Sequence, residues 1–185
     1  MTEKEAIYCE LLVLRCRQGQ RAALEELVRT WERPLFYFVR RLIDNEDEAR
    51  QVLQQTWVSV LQGLGRLREP RKLPAWLYTI ARITALTHLR RQYGEKAMSR
   101  ANESVPFQEA NDGQRDFDNA EQIHYGLGRL SLIHREVLTL FFLQDLSLEE
   151  IASVLEVPVG TVKSRLHHAK RMLKAILVRE ESSHE

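Results

Sequence analysis

Apolar residues recur at helical spacing along most of the chain, and the clearest instance runs from Leu146 to Lys174, LSLEEIASVLEVPVGTVKSRLHHAKRMLK. Ser147 followed by Glu150 is a capping box, in which two side chains satisfy free backbone amides and start a helix. Leu148, Ile151, Ala152 and Leu155 then share one face. Pro158 interrupts the pattern and suits the first turn of a second helix. On that second helix Val162, Leu166, Ala169 and Leu173 form a narrow apolar stripe. Lys163, Ser164, His167, His168 and Arg171 fall opposite, and Arg165 and Lys170 lie on the flanks. Two short helices, a tight turn and one sharply sided basic helix predict a helix-turn-helix that lies in a DNA major groove.

Earlier segments carry the same period. Helices are predicted over residues 5–17 and 21–43, with Gly19 between them, and the second carries a broad apolar face from Leu24 to Leu42 with Pro34 inside it. Asp44 or Asn45 caps a third helix to about Leu61, whose Val52, Leu53, Trp57, Val60 and Leu61 face inward and whose Gln51, Gln54 and Gln55 face out. A basic loop, GRLREPRK, then holds Arg66, Arg68, Arg71 and Lys72. Pro74 opens a fourth helix containing Trp76, Ile80, Ile83 and Leu86 together with Arg82, Arg90 and Arg91. Periodicity stops from residue 94 to 119, in a polar, acidic stretch expected to be a flexible linker. It returns at residues 120–130 and 131–143, and the second helix of the final pair continues toward Arg179. The expected fold is all-α: a first domain over residues 1–93, the linker 94–119, a second domain over 120–180 and a tail at 181–185.

Composition narrows the function. The formal net charge is +1, but residues 1–93 carry +5 and the linker −3, while Val157 to Arg179 holds six Lys or Arg and no acid. Near-neutrality overall argues against a protein that grips DNA strongly and alone, because phosphate contacts supply most non-specific affinity. A larger partner is expected to share the binding. Cys9 and Cys16, seven residues apart on one helix, lie about 10 Å from each other, too far for a disulfide. No metal-ligand cluster, Gly-rich phosphate loop or nucleophile elbow appears. No apolar run approaches the roughly 20 residues of a membrane span, and a cytoplasmic protein without membrane insertion is expected. A self-sufficient DNA-binding regulator and a helical adaptor with a basic face stay open as alternatives.

Two stretches carry a resemblance. PAWLYTIARITALTHLRR and HREVLTLFFLQDLSLEEIASVLEVPVGTVKSRLHHAKRML resemble the end of the first and the whole of the last domain of bacterial sigma factors of the extracytoplasmic-function group, and NEDEARQVLQQTWVSVL resembles the preceding helix more loosely. The resemblance implies a non-enzymatic subunit of RNA polymerase, without cofactor, that recognises promoters and is monomeric when free. It implies minus-35 contacts by Lys163, Ser164, Arg165, His167, His168, Lys170 and Arg171. The minus-10 element would fall to Arg66, Arg68, Arg71, Lys72, Arg82, Arg90 and Arg91. Gln51, Gln54 and Gln55 would meet the beta-prime clamp of core polymerase, and an anti-sigma factor is an expected partner. Gln51 and Gln55 stand where the family usually has acids, and Ile83 and Thr87 where it has Asn and Asp. His168 stands where an arginine is common.

Overall fold

A computed structural model of the chain describes residues 3–102 and 119–182, which form eight α-helices and no strand. The larger part of the expected linker, residues 103–118, lies outside the described residues. Helices α1 (Glu3–Arg17), α2 (Arg21–Leu42), α3 (Glu46–Gly63) and α4 (Leu73–Asn102) form the first domain, with two 3-10 turns, Leu64–Arg66 and Pro70–Lys72, joining α3 to α4. Helices α5 (Asn119–Gly128), α6 (Leu132–Leu138), α7 (Leu148–Leu155) and α8 (Val159–Ser182) form the second, with a π-helical turn at Thr139–Leu143 extending α6. Among the described residues no helix is long and apolar enough to cross a membrane.

Local chemistry sets the ends of these helices. Gly19 closes α1 at φ +75°, where an L side chain would be strained. Asn45 caps α3, its side chain accepting from the Glu48 amide at 3.0 Å, and Glu46, Asp47 and Glu48 follow at the positive end of the helix dipole. Ser147 Oγ accepts from the Glu150 amide at 3.2 Å while the Glu150 carboxylate accepts from the Ser147 amide at 2.9 Å. Glu156 closes α7 in the left-handed region at φ 55°. Because both halves of the box are present, Ser147→Ala is expected to lower stability by about 1 kcal/mol and Ser147→Gly by only a few tenths. Urea denaturation of the full chain measures it.

Leu27, Leu35, Phe38 and Val39 of α2 are fully buried, and Val52 and Val60 of α3 and Leu73, Leu77 and Ala81 of α4 close over them. Cys9 and Cys16 are free, buried thiols in the same core. Leu61 departs from the sequence expectation, since it is 50% exposed. At 100° per residue it lies over Gln54 and Val58, seven and three residues earlier, and Val58 is exposed as well. Within α4, Gly94 adopts φ 72° and ψ 163°, and helical structure resumes to Asn102.

The two domains pack directly on each other, α4 against α7 and α2 against α6. Glu136 is buried at this junction, its two carboxylate oxygens 3.0 and 3.5 Å from the Arg82 guanidinium of α4. Arg135 donates to the Arg41 carbonyl at 3.0 Å and to the Gly128 and Leu130 carbonyls at 2.7 and 3.1 Å, with Asp44 at 3.6 Å. The Tyr78 hydroxyl, buried beneath the edge-on rings of Phe38 and Trp31, donates to the Gln144 side chain. Burial raises the Tyr78 pKa, keeping that hydroxyl protonated as a donor.

Candidate nucleic-acid interface

The second domain presents its basic face because the opposite side of α8 is fixed by packing. Val162, Leu166 and Ala169 are buried against α6 and α7, and α5 approaches so closely that a Cβ on Gly126 would stand 2.6 Å from a Leu173 methyl. Rotation about the helix axis then leaves Lys163, Ser164, His167, His168 and Arg171 all exposed on one side. Ser164 Oγ donates to the Thr161 carbonyl at 3.0 Å, so its lone pairs are what it offers outward. The rings of His167 and His168 stand edge to face, 5.7 Å apart. Among the described residues no group of three or more His, Cys, Asp or Glu is placed to hold a metal.

The flanking cations differ from each other. Lys170 is exposed and lies 4.9 Å over the Phe142 ring and 5.4 Å over Phe141, so its ammonium is held by two π-faces beside the exposed basic face. Arg165 is half-buried. It lies close enough to Glu136 and His134 to bias both. Burial first, and then the positive fields of His168 and Arg165, push the His134 imidazole below its ordinary value, so that it is held neutral behind the basic face.

In the first domain the predicted cations separate into three groups. Arg66 and Arg68 are exposed and form no ion pair among the described residues. Arg71 is bound to Glu10 at 3.0 Å and Glu3 at 3.2 Å, and Lys72 to Glu69 at 2.8 Å. Those two therefore fasten the loop to α1 and to itself, and Arg17 donates to the Leu67 and Leu64 carbonyls from the other side. Arg82 is drawn away from the exposed surface in this arrangement, because Glu136 holds it at the domain junction. Arg90 and Arg91 are exposed.

Between α3 and α4 runs a trough that periodicity alone did not indicate. One cleft of about 350 Å³ is lined by Arg66, Trp76, Ile80 and Ile83, and an adjoining one of about 510 Å³ by Gln51, Gln55, Thr87 and Arg91, with Ser59, Ile83 and Thr84 common to both. Trp76, Ile80, Ile83 and Thr87 stand at i, i+4, i+7 and i+11 on one face of α4, a signal that is legible once α3 is known to lie opposite. Gln51 and Gln55 are exposed at the α3 rim of this trough, and Gln54, Val58 and Leu61 are exposed further round the helix. Glu136 was also missed, although it shares a stripe with Leu132 and Leu140, where an acid inside an apolar row marks a buried charge.

Two family models match the chain: one described as Sigma-70 region 2, over residues 27–94, and one described as Sigma-70, region 4, over residues 120–173. RNA polymerase sigma factor CarQ of Myxococcus xanthus is 30% identical over 166 residues, which cover 88% of this chain and 94% of that protein. The ECF RNA polymerase sigma-E factor of Haemophilus influenzae is 28% identical over 185 residues, covering 92% and 95%. In fold the chain is similar to the sigma factor RpoE crystallised with the anti-sigma factor NepR from Bartonella quintana, with a TM-score of 0.67 at 21% identity over 83% of this chain and 95% of that one.

Proposed function

The chain belongs to the sigma-70 family as an RNA polymerase sigma factor of the extracytoplasmic-function group, and from that premise we propose how its residues divide the recognition of a promoter. The observation that carries the proposal is the face of α8 on which Lys163, Ser164, His167, His168 and Arg171 are exposed together. That face reads the minus-35 element in the major groove, with Lys170 and Arg165 toward the phosphates. In the first domain Arg66 and Arg68 hold the opened minus-10 strand, Arg90 and Arg91 meet its backbone, and Arg71 and Lys72 position the loop through their ion pairs. Arg82 joins them only if Glu136 releases it.

Core polymerase docks on the exposed face of α3 that runs outward from the trough rim. Gln51, Gln54 and Gln55 supply hydrogen bonds there, and Val58 and Leu61 supply apolar contact. None of these five side chains is charged, and the exposed Asp47 and Arg50 one turn before them are of opposite sign, so the affinity for core polymerase is expected to change little between 50 and 500 mM salt, whereas Leu61→Asp weakens it about tenfold. Fluorescence anisotropy of labelled chain titrated with core polymerase reads both. The division into residues 1–93, 94–119 and 120–180 separates the two kinds of DNA contact, and work on the polymerase would place the chain in the cytoplasm. The similarity to RpoE with NepR supports an anti-sigma factor as a further partner.

The test is transcription by core polymerase with and without the purified chain on a library of promoter fragments. Chain-dependent transcripts sharing two upstream elements are the expected result. A chain that shifts promoter DNA by itself, with no effect on polymerase, would instead describe a stand-alone regulator.

A further inference from the structure

We infer that Ile83 makes the minus-10 contact of this chain selective for the 5-methyl group of thymine, an inference that rests on assigning α4 and its preceding loop to the opened promoter strand. Ile83 is an aliphatic side chain 52% exposed to solvent, at the point where the two clefts between α3 and α4 meet. Arg66 stands at one end of this trough and Arg91 at the other. Both are exposed and neither is in an ion pair among the described residues, so each is available to a phosphate.

Between these cations the chemistry changes. Ser59 Oγ donates to the Gln55 carbonyl at 3.1 Å and Thr84 Oγ1 donates to the Ile80 carbonyl at 2.9 Å. The hydroxyl protons of Ser59 and Thr84 are thus spent on their own helices. Ile83, Ile80 and Trp76 leave an apolar patch in the wall. A purine edge laid against these three apolar side chains would strip water from N7 or O6 and gain no donor from them, the donors of the trough being Arg66 in the first cleft and Gln51, Gln55, Thr87, His88 and Arg91 in the second. Cytosine carries only hydrogen at C5 and leaves the patch uncovered. Thymine alone brings an apolar group on its base edge, and its methyl covers Ile83.

The experiment uses holoenzyme assembled from the full chain and core polymerase, selected on fragments randomised across the minus-10 region. Each selected non-template thymine is then replaced by deoxyuridine, which keeps the pairing edge and removes the methyl. One position is expected at which the replacement lowers open-complex yield about fourfold, the value of one buried carbon. In Ile83→Asn the two bases become equal at that position while initiation persists. Because Ile83 is half exposed the variant keeps its fold, which its helical circular dichroism checks. Equal use of thymine and uracil everywhere by the unaltered chain, or an unchanged ratio in Ile83→Asn, overturns the inference and leaves the sigma-factor function standing. Failure to initiate from any fragment would overturn that function and this inference with it.

Discussion

Arg82→Ala is expected to destabilise the chain by about 3–5 kcal/mol, because it strands a buried carboxylate at the domain junction. The Glu136 side chain is 2% exposed and both of its oxygens face the one guanidinium, at 3.0 and 3.5 Å. Burial pushes the Glu136 carboxyl above the usual carboxylate range and Arg82 pulls it back down. Without Arg82 nothing on that scale compensates the burial of a charge. The double variant Arg82→Met with Glu136→Leu removes both members and is expected to recover most of the loss, since an apolar pair of similar volume costs no desolvation. Urea midpoints of the three proteins at neutral pH decide the matter. A loss under about 1 kcal/mol for Arg82→Ala would place the pair in solvent.

Loss of a side chain that we propose reads bases from α8 is the second large effect. Lys163→Ala or His167→Ala is expected to cut transcription from a promoter with an intact minus-35 element about tenfold, within the range of roughly 1–3 kcal/mol for one good base contact. On a promoter whose upstream element has been scrambled, each variant should match the unaltered chain. That comparison separates lost reading from lost folding. Both residues are exposed and point away from the buried Val162, Leu166 and Ala169, so the substitutions leave the packing of α8 untouched. An equal loss on both promoters would mean that the assigned face is wrong.

Much of this arrangement was legible because amphipathic helices announce themselves. The capping box at Ser147, the Asn45 cap, the basic face of α8 and the outward glutamines of α3 are all local features, decided within four or five residues. Arg82 was read as an exposed DNA contact, and its pairing with Glu136 was not foreseen. A cation on a helix signals a surface, but its partner lies 54 residues away, and no local period reports a pairing at that distance. Leu61 failed differently. An inventory of apolar residues put it inside, whereas its angular position put it with Gln54. Helix α4 packs against α3 on one side and α7 on another, so its apolar and polar residues do not sort into a single inward and a single outward face.

The way Arg135 and Glu136 reach out of the second domain bears on engineering. Arg135 bonds the carbonyl end of α2 at Arg41 as well as carbonyls of its own domain, and its neighbour holds Arg82 of α4. A chimera that grafts a relative's C-terminal half onto this N-terminal half, to redirect it to other genes, would mate only if the donor brings a matching acid and a matching fork of donors, or if positions 44 and 82 are transplanted with it. The halves are therefore not freely interchangeable parts, and retargeting is better attempted by rewriting the outward side of α8 alone.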